Sequence, residues 1–234
     1  MPKNDFNSGE LDYLNTLAAG LVHEIKNPLN AISINLQLLN EDLQERNSEK
    51  DTKMSNRVQL LQKEVCRLDS VLSDFLRFAK RPVLHFEECS VNEIIESVLD
   101  FIGPEAMQNS IRILKSFDTS LPKCNLDSNA IKQALLNVIL NAQQAMSRGG
   151  ELIVRTYQDG ENIFIDITDT GVGIQEDKIG KIFQVYYSTK KTGTGLGLPI
   201  VTKIINEHSG IFSIKNNKNS TGTKIIISIP KINA

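Results

Sequence analysis

The chain has 234 residues, a net charge of -2 and 40% hydrophobic content, which suits one large or two small domains with enough apolar residues for a core. That charge gives no electrostatic case for nucleic acid or for an anionic membrane surface. The three cysteines, Cys66, Cys89 and Cys124, form no CxxC pair, so zinc and a disulfide framework are disfavoured and a reducing cytoplasm is expected. No apolar run approaches the ~20 residues of a membrane span, and the N-terminus lacks a signal-peptide pattern; a longer, membrane-bound parent stays open.

In chain order, the first element is a long helix. Leu14, Ala18, Leu21, Ile25, Leu29, Ile32, Leu36, Leu39 and Leu43 recur at steps of three and four, a coiled-coil-like seam. His23 falls roughly 200° around the helix from Leu21 and Ile25, so it points away from that seam. Asn27, four residues on, shares its face, and Glu24 lies one step around. Pro28 cannot donate to the carbonyl of Glu24, and the helix is expected to bend just beyond the His. Taken alone, an exposed His is an ordinary surface residue.

A polar loop leads to a second helix. Its seam runs Met54, Val58, Leu61, Val65, Leu68, Leu72, Phe75, Ala79, a heptad pattern. Two long helices with a short connection form an antiparallel hairpin. An apolar stripe on each helix makes a homodimeric four-helix bundle the economical way to bury both. Arg81-Pro82 breaks the pattern and marks a boundary, dividing the chain into 1–82 and 83–234.

Beyond Pro82, "SVNEIIESVLDFI" opens with a capping box, Ser90 and Glu93, and reads as an amphipathic helix. "IRILKSF" reads as a strand. "SNAIKQALLNVILNAQQAM" is a helix that stops at Gly149-Gly150. "ELIVRTY" and "NIFIDITD" are strands joined by an Asp159-Gly160 hairpin signal. "EDKIGKIF" is a short helix, and "GLGLPIVTKIINEHSG" a longer one ending at Gly210. "IFSIK" and "TKIIISI" close as a hairpin. The whole chain is α+β: a helical hairpin, then an α/β sandwich with helices on one face of a mixed sheet.

Four segments of the second domain carry candidate chemistry. "DTGVG", Asp169 to Gly173, follows a strand directly, and "GTGLGL", Gly193 to Leu198, opens a helix. Glycines let a backbone approach a ligand, and amides at a helix N-terminus attract phosphate. A carboxylate at a strand end accepts from an exocyclic amine such as that of adenine. Neither a Walker loop nor a dinucleotide fingerprint fits. Between them, "IFQVYYSTKK" is a polar segment with two cations and the character of a lid over phosphates. In "NVILNAQQA", Asn137 and Asn141 share one face of an apolar helix, where Asn is unfavourable. They suit a hard cation such as Mg²⁺ shared with phosphates, or bonding to neighbouring backbone.

Together these motifs resemble the core of two-component sensor histidine kinases, with wording closest to the nitrogen-regulation type. "HEIKNPL" matches the H box, "NVILNA" the N box, "DTGVGI" and "GTGLGL" the two glycine boxes and "IFQVYYSTK" the F box. The resemblance runs from about Leu14 to Pro230. It implies a dimerisation and phosphotransfer hairpin followed by an ATP-binding domain of the superfamily shared with gyrase. It implies His23 as phosphoacceptor and Glu24 as its acid/base partner. Asn141 would hold Mg²⁺, with Asn137 supporting metal or phosphate, and Asp169 would contact adenine. Gly171, Gly173, Gly193, Gly195 and Gly197 would shape the nucleotide loops, with Thr194 among the phosphate-proximal backbone groups. Phe183 would anchor the lid, Lys190 would supply charge, and Thr223 would support the adenine end. The implied activity is ATP-dependent autophosphorylation, then transfer to an Asp of a response regulator. Asn27, one turn after His23, is placed to position a water for attack on the regulator's aspartyl phosphate, a phosphatase reaction.

The chain departs from the family wording at Val185, Tyr186 and Tyr187 of the F box and at Gln144, where many relatives carry Lys. His85 and His208 match no catalytic motif and read as structural or surface residues. Two rival readings remain: an ATPase or serine kinase of the same ATP-binding superfamily, for which "HEIKNP" has no use, and a catalytically inactive dimeric scaffold, against which the intact nucleotide motifs speak.

Overall fold

The computed structural model describes residues 84–184, 187–189, 195–217 and 221–231, together with scattered positions between 29 and 73. The chain divides into two compact units with a boundary between Pro82 and Val83.

In the N-terminal unit, the described residues between 29 and 40 and between 58 and 73 are helical. Val58 is 4% exposed, but Ile32, Leu61 and Leu68, on the same two seams, are 47%, 53% and 47% exposed in the single chain. One chain therefore leaves part of its apolar stripe in water. The H-box residues His23, Glu24, Asn27 and Pro28 lie outside the described residues.

The second unit is a mixed sheet with helices on one face. Strand β1 (Glu87–Cys89) leads into helix α1 (Val91–Gln108). Ser90 caps that helix, its hydroxyl accepting from the Glu93 N–H at 3.4 Å. The helix continues past the Ile102 where its amphipathic reading stopped. Pro104 forfeits one bond, to the carbonyl four residues back, while the buried stripe of Val98, Leu99, Ile102 and Ala106 carries straight through.

Strands β2 (Ile111–Ser116) and β3 (Cys124–Leu126) precede helix α2 (Ser128–Ala145). Strands β4 (Gly150–Asp159) and β5 (Asn162–Asp169) form the expected hairpin. Helix α3 (Glu176–Ile179) is a single turn, shorter than the pattern suggested, because the chain leaves helix at Gly180. Helix α4 (Gly197–Glu207), then β6 (Ile211–Asn216) and β7 (Thr223–Pro230), complete the unit. The main sheet has the order β2-β4-β5-β7-β6; β2 runs parallel to β4 and every other pair is antiparallel. A separate ribbon pairs β1 with β3, and these three-residue strands were invisible in the sequence, being too short for an alternation to register.

Alternation along the strands decides which face is covered. Leu152, Val154, Ile163, Ile165, Ile167, Ile225, Ile227 and Ile229 point inward and are buried. On that side α2 meets both α1 and α4, and each helix meets the sheet, with Val98, Ile102, Leu135, Val138, Ile139, Val201 and Ile205 buried. Burial of each such side chain stabilises the fold by ~1.5–3 kcal/mol. Asp169, at the end of β5, and Thr223, at the start of β7, continue the same inward rows, and both are buried. The sheet thus presents one carboxylate inward, at its rim.

Candidate functional site

Asp169 is 4% exposed. Its Oδ1 accepts from the Gly171 N–H at 2.8 Å and from the Thr223 N–H at 3.2 Å, and the Thr223 side chain also bonds to it. Burial pushes this carboxyl above its ordinary pKa, against the opposing pull of those donors. A carboxylate held in a fixed, largely dry position is suited to accept from one specific donor of a ligand.

The first glycine loop is held from three sides. The Val172 N–H donates to the carbonyl of Ala145, the last residue of α2, at 3.2 Å. A Cβ at Gly171 would meet that same carbonyl oxygen at 2.7 Å, so only glycine lets the loop lie this close to the helix end. Asn216, the last residue of β6, clasps Ile174: its Oδ1 accepts from the Ile174 N–H at 2.8 Å and its Nδ2 donates to the Ile174 carbonyl at 2.5 Å. Asn217 donates from Nδ2 to the Asp169 carbonyl at 3.0 Å. Gly173 has φ +72, the left-handed conformation that a turn here requires.

Helix α2 supplies the facing wall. Its cap is Asp127, whose Oδ1 accepts from the Ala130 N–H at 2.9 Å. Asn137 and Asn141 sit on the side turned to α4. The Asn137 Nδ2 donates to the Gly197 carbonyl at 3.5 Å, and a Cβ at Gly197 would stand 3.9 Å from the Asn141 Nδ2. So Asn137 is bonded to neighbouring backbone, the simpler of its two readings, and both carboxamides border the start of α4. The N-cap of helix α4 is Leu196, whose side chain gives no cap bond, and Gly195 before it has φ +69. The carboxamide oxygens are hard donors, and among the described residues no group of three His, Cys, Asp or Glu stands together. A divalent ion at this wall fits one or two Asn oxygens completed by ligand phosphates and water.

Phe183, in the segment after α3, packs edge-on against Phe212 of β6, ring centroids 6.0 Å apart at 83°. Lys190, Gly193 and Thr194 lie outside the described residues. The structure therefore brings together Asn137, Asn141, Asp169, Gly171, Gly173, Gly195, Gly197 and Thr223 around one end of the sheet.

Three residues that the motifs did not include complete the site. Asn216 and Asn217 fasten the glycine loop, and Gly222 lies against Asp169. The "NNKNSTG" run ahead of Thr223 was the available signal, since clustered Asn and Gly mark backbone geometry that side-chain bonds must hold.

His208 is fully buried, which settles it as structural. Its Nε2 accepts from the Asp127 N–H at 3.0 Å, and its Nδ1 faces the Ile204 carbonyl at 2.8 Å. Those partners assign the proton to Nδ1. Phe86 lies against the ring at 5.2 Å, and the His85 N–H donates to the Asp127 Oδ2 at 3.0 Å. The His85 side chain itself is exposed.

A sandwich with a buried carboxylate at a strand end, glycine loops and paired asparagines on the facing helix defines a nucleotide-binding domain of the histidine-kinase and gyrase type. Residues 126–233 match the family described as "Histidine kinase-, DNA gyrase B-, and HSP90-like ATPase", and residues 13–82 match the "His Kinase A (phospho-acceptor) domain". The chain is 35% identical over 210 residues to "Sporulation kinase C" of Bacillus subtilis (strain 168), covering 89% of this chain and 47% of that protein. It is 32% identical over 210 residues to "Sensor histidine kinase ZraS" of Escherichia coli (strain K12), covering 90% of this chain and 44% of that protein. Among solved structures, histidine kinase ThkA in complex with response regulator protein TrrA superposes with a TM-score of 0.66 at 26% identity, covering 96% of this chain and 64% of that one. The chain belongs to the sensor histidine kinase family. It spans less than half the length of the curated relatives just named. Among the described residues, no helix is long and apolar enough to cross a membrane.

Proposed function

We propose that the chain is the catalytic core of a sensor histidine kinase that phosphorylates His23 with ATP and passes the phosphoryl group to an Asp of a response regulator. The observation that carries the ATP half is the buried Asp169 carboxylate, fixed by the Gly171 and Thr223 N–H groups at the rim of the sheet. It accepts from the adenine amine. The backbone of Gly193, Thr194, Gly195 and Gly197 at the start of α4 receives the phosphates. Phe183 anchors the lid that closes over them, and Lys190 on that lid adds positive charge.

Asn141, supported by Asn137, supplies the protein oxygen for Mg²⁺, which when bound offsets phosphate charge. Transfer is an in-line displacement. The neutral His23 nitrogen forms a bond to the γ-phosphorus as the bond to the β–γ bridging oxygen breaks and ADP leaves. Glu24 holds the other ring nitrogen and stabilises the positive charge that develops. In this division of labour, 1–82 dimerises and carries His23, and 83–234 binds ATP. The half-exposed Ile32, Leu61 and Leu68 support a homodimer, since a second copy covers them. The response-regulator partner is supported by the ThkA–TrrA complex, which this chain resembles over most of its length.

The deciding experiment is incubation with γ-labelled ATP and Mg²⁺. We expect acid-labile, alkali-stable label, as a phosphoramidate gives, in the wild type and none in His23→Gln. Acid-stable label, or undiminished label in His23→Gln, rejects this reading.

A further inference from the structure

Cys89 on β1 and Cys124 on β3 are 35 residues apart in sequence, yet they are direct cross-strand partners in the antiparallel ribbon. Directly opposite residues of such a pair project to the same face. Their Cα atoms stand about 5.5 Å or about 4.5 Å apart according to the class of pair. Either spacing lies within the roughly 4.4–6.8 Å that a disulfide accepts. The Cys89 side chain already lies over β3: its Sγ approaches the carbonyl oxygens of Cys124 at 3.7 Å and of Leu126 at 3.9 Å. Both residues are free thiols, Cys89 half-buried and Cys124 buried.

We propose that Cys89 and Cys124 are a reversible redox pair, closing to a disulfide under peroxide and reopening with dithiols. The bond fastens β1, the first strand after the unit boundary, to the strand that leads through Leu126 into the Asp127 cap of α2. In the first step the Cys89 sulfur attacks one oxygen of a hydroperoxide. The O–O bond breaks, water or an alcohol leaves, and Cys89 becomes a sulfenic acid. In the second, the Cys124 sulfur attacks the Cys89 sulfur, the S–O bond breaks, and the hydroxyl leaves as water with the Cys124 proton. The two thiols give up two electrons and the peroxide takes them.

Access orders these steps, because the half-buried Cys89 meets the oxidant and the buried Cys124 meets only its neighbour. Rate is a separate matter. Burial and then the Glu87 carboxylate push the Cys89 thiol up, and burial and then Cys89 push Cys124 up. Little thiolate is present at neutral pH, so the pair answers sustained rather than brief exposure.

The test uses the full chain carrying Cys66→Ser, which removes the third, exposed thiol. After hydrogen peroxide, we expect two thiols to be lost to maleimide under denaturing conditions. Mass spectrometry finds a peptide linking 89 to 124 within one chain. The Tm rises by at least about 4 °C, as expected from closing a loop of this length, and dithiothreitol reverses all three. The added Cys89→Ser substitution abolishes the link and the shift. Retention of both thiols after peroxide, a link found only between chains, or a link that forms only in urea overturns the proposal.

Discussion

A Cβ at Gly222 would stand 2.0 Å from the carbonyl oxygen of Asp169. That carbonyl belongs to the residue whose carboxylate anchors the candidate nucleotide site, and the same oxygen accepts from the Asn217 side chain. Gly222 also has φ +110, so an added side chain is strained before any contact is counted. Gly222→Ala pushes β7 off β5 at the rim and moves Thr223 away from the Asp169 carboxylate. We expect a loss of about 2 kcal/mol or more in urea unfolding, and at least tenfold weaker binding of a fluorescent ATP analogue.

Asp169→Asn separates stability from binding. The native carboxyl is raised by burial. A raised acid contributes stability below its unfolded pKa and loses it as pH climbs through the folded value, so at neutral pH the nucleotide-free fold carries an unfavourable charge. Asn keeps an Oδ1 acceptor for Gly171 and Thr223 and removes that charge. The nucleotide-free Tm at pH 7 rises by about 2–4 °C, the response of a domain this size to ~1 kcal/mol. ATP-analogue binding falls at least tenfold, because a carboxamide N–H₂ now faces the adenine amine. The two readouts are thermal unfolding and titration of the same samples.

Much of the site was legible because glycines, paired asparagines and a strand-terminal carboxylate are forced choices: few residue types satisfy such positions. Asp159-Gly160, the Ser90 cap and the strands from 150 to 169 followed from local chemistry, which acts over a few residues and so leaves a local pattern. Asn216, Asn217 and Gly222 were missed because their partners, Ile174 and Asp169, lie some forty to fifty residues earlier. Cys89 opposite Cys124, and His208 beneath Asp127, were hidden for the same reason. A pairing between distant segments leaves no periodicity in either one.

Asp127 makes a pH-dependent prediction. Burial works to raise its carboxyl, but the N–H groups of Ala130, His85 and Asn129 outweigh it and hold the pKa below its ordinary value. A lowered acid contributes stability above its unfolded pKa and loses it as pH falls through the folded value. Asp127→Ala therefore costs ~1–2 kcal/mol at pH 7, as lost N-caps do. The gap between wild type and variant narrows below about pH 4, measured by urea unfolding across pH 3–7.

Asn27 separates phosphoryl transfer from hydrolysis of the phosphorylated regulator. If it positions water beside His23, Asn27→Ala keeps autophosphorylation and transfer but loses most phosphatase activity toward a phosphorylated regulator. The assay is decay of that phosphoprotein with ADP present. Equal acceleration by wild type and variant removes the role, and no acceleration by wild type makes the protein a kinase only.

The Asp127–His208 bond joins the N-cap of one site helix to the C-cap of the other. Helices α2 and α4 run in opposite senses, so this pin sits far from the glycines, while Asn137 and Asn141 border the start of α4 at the other end. Between the two ends the helices pack closely, each with buried apolar side chains. From Asp127 to Asn141 is about 21 Å at ~1.5 Å per residue, and a seam packed to crystal-like density does not bend freely. The wall that would face the phosphates is therefore a stiff strut, footed on a buried histidine at the opposite end from the nucleotide.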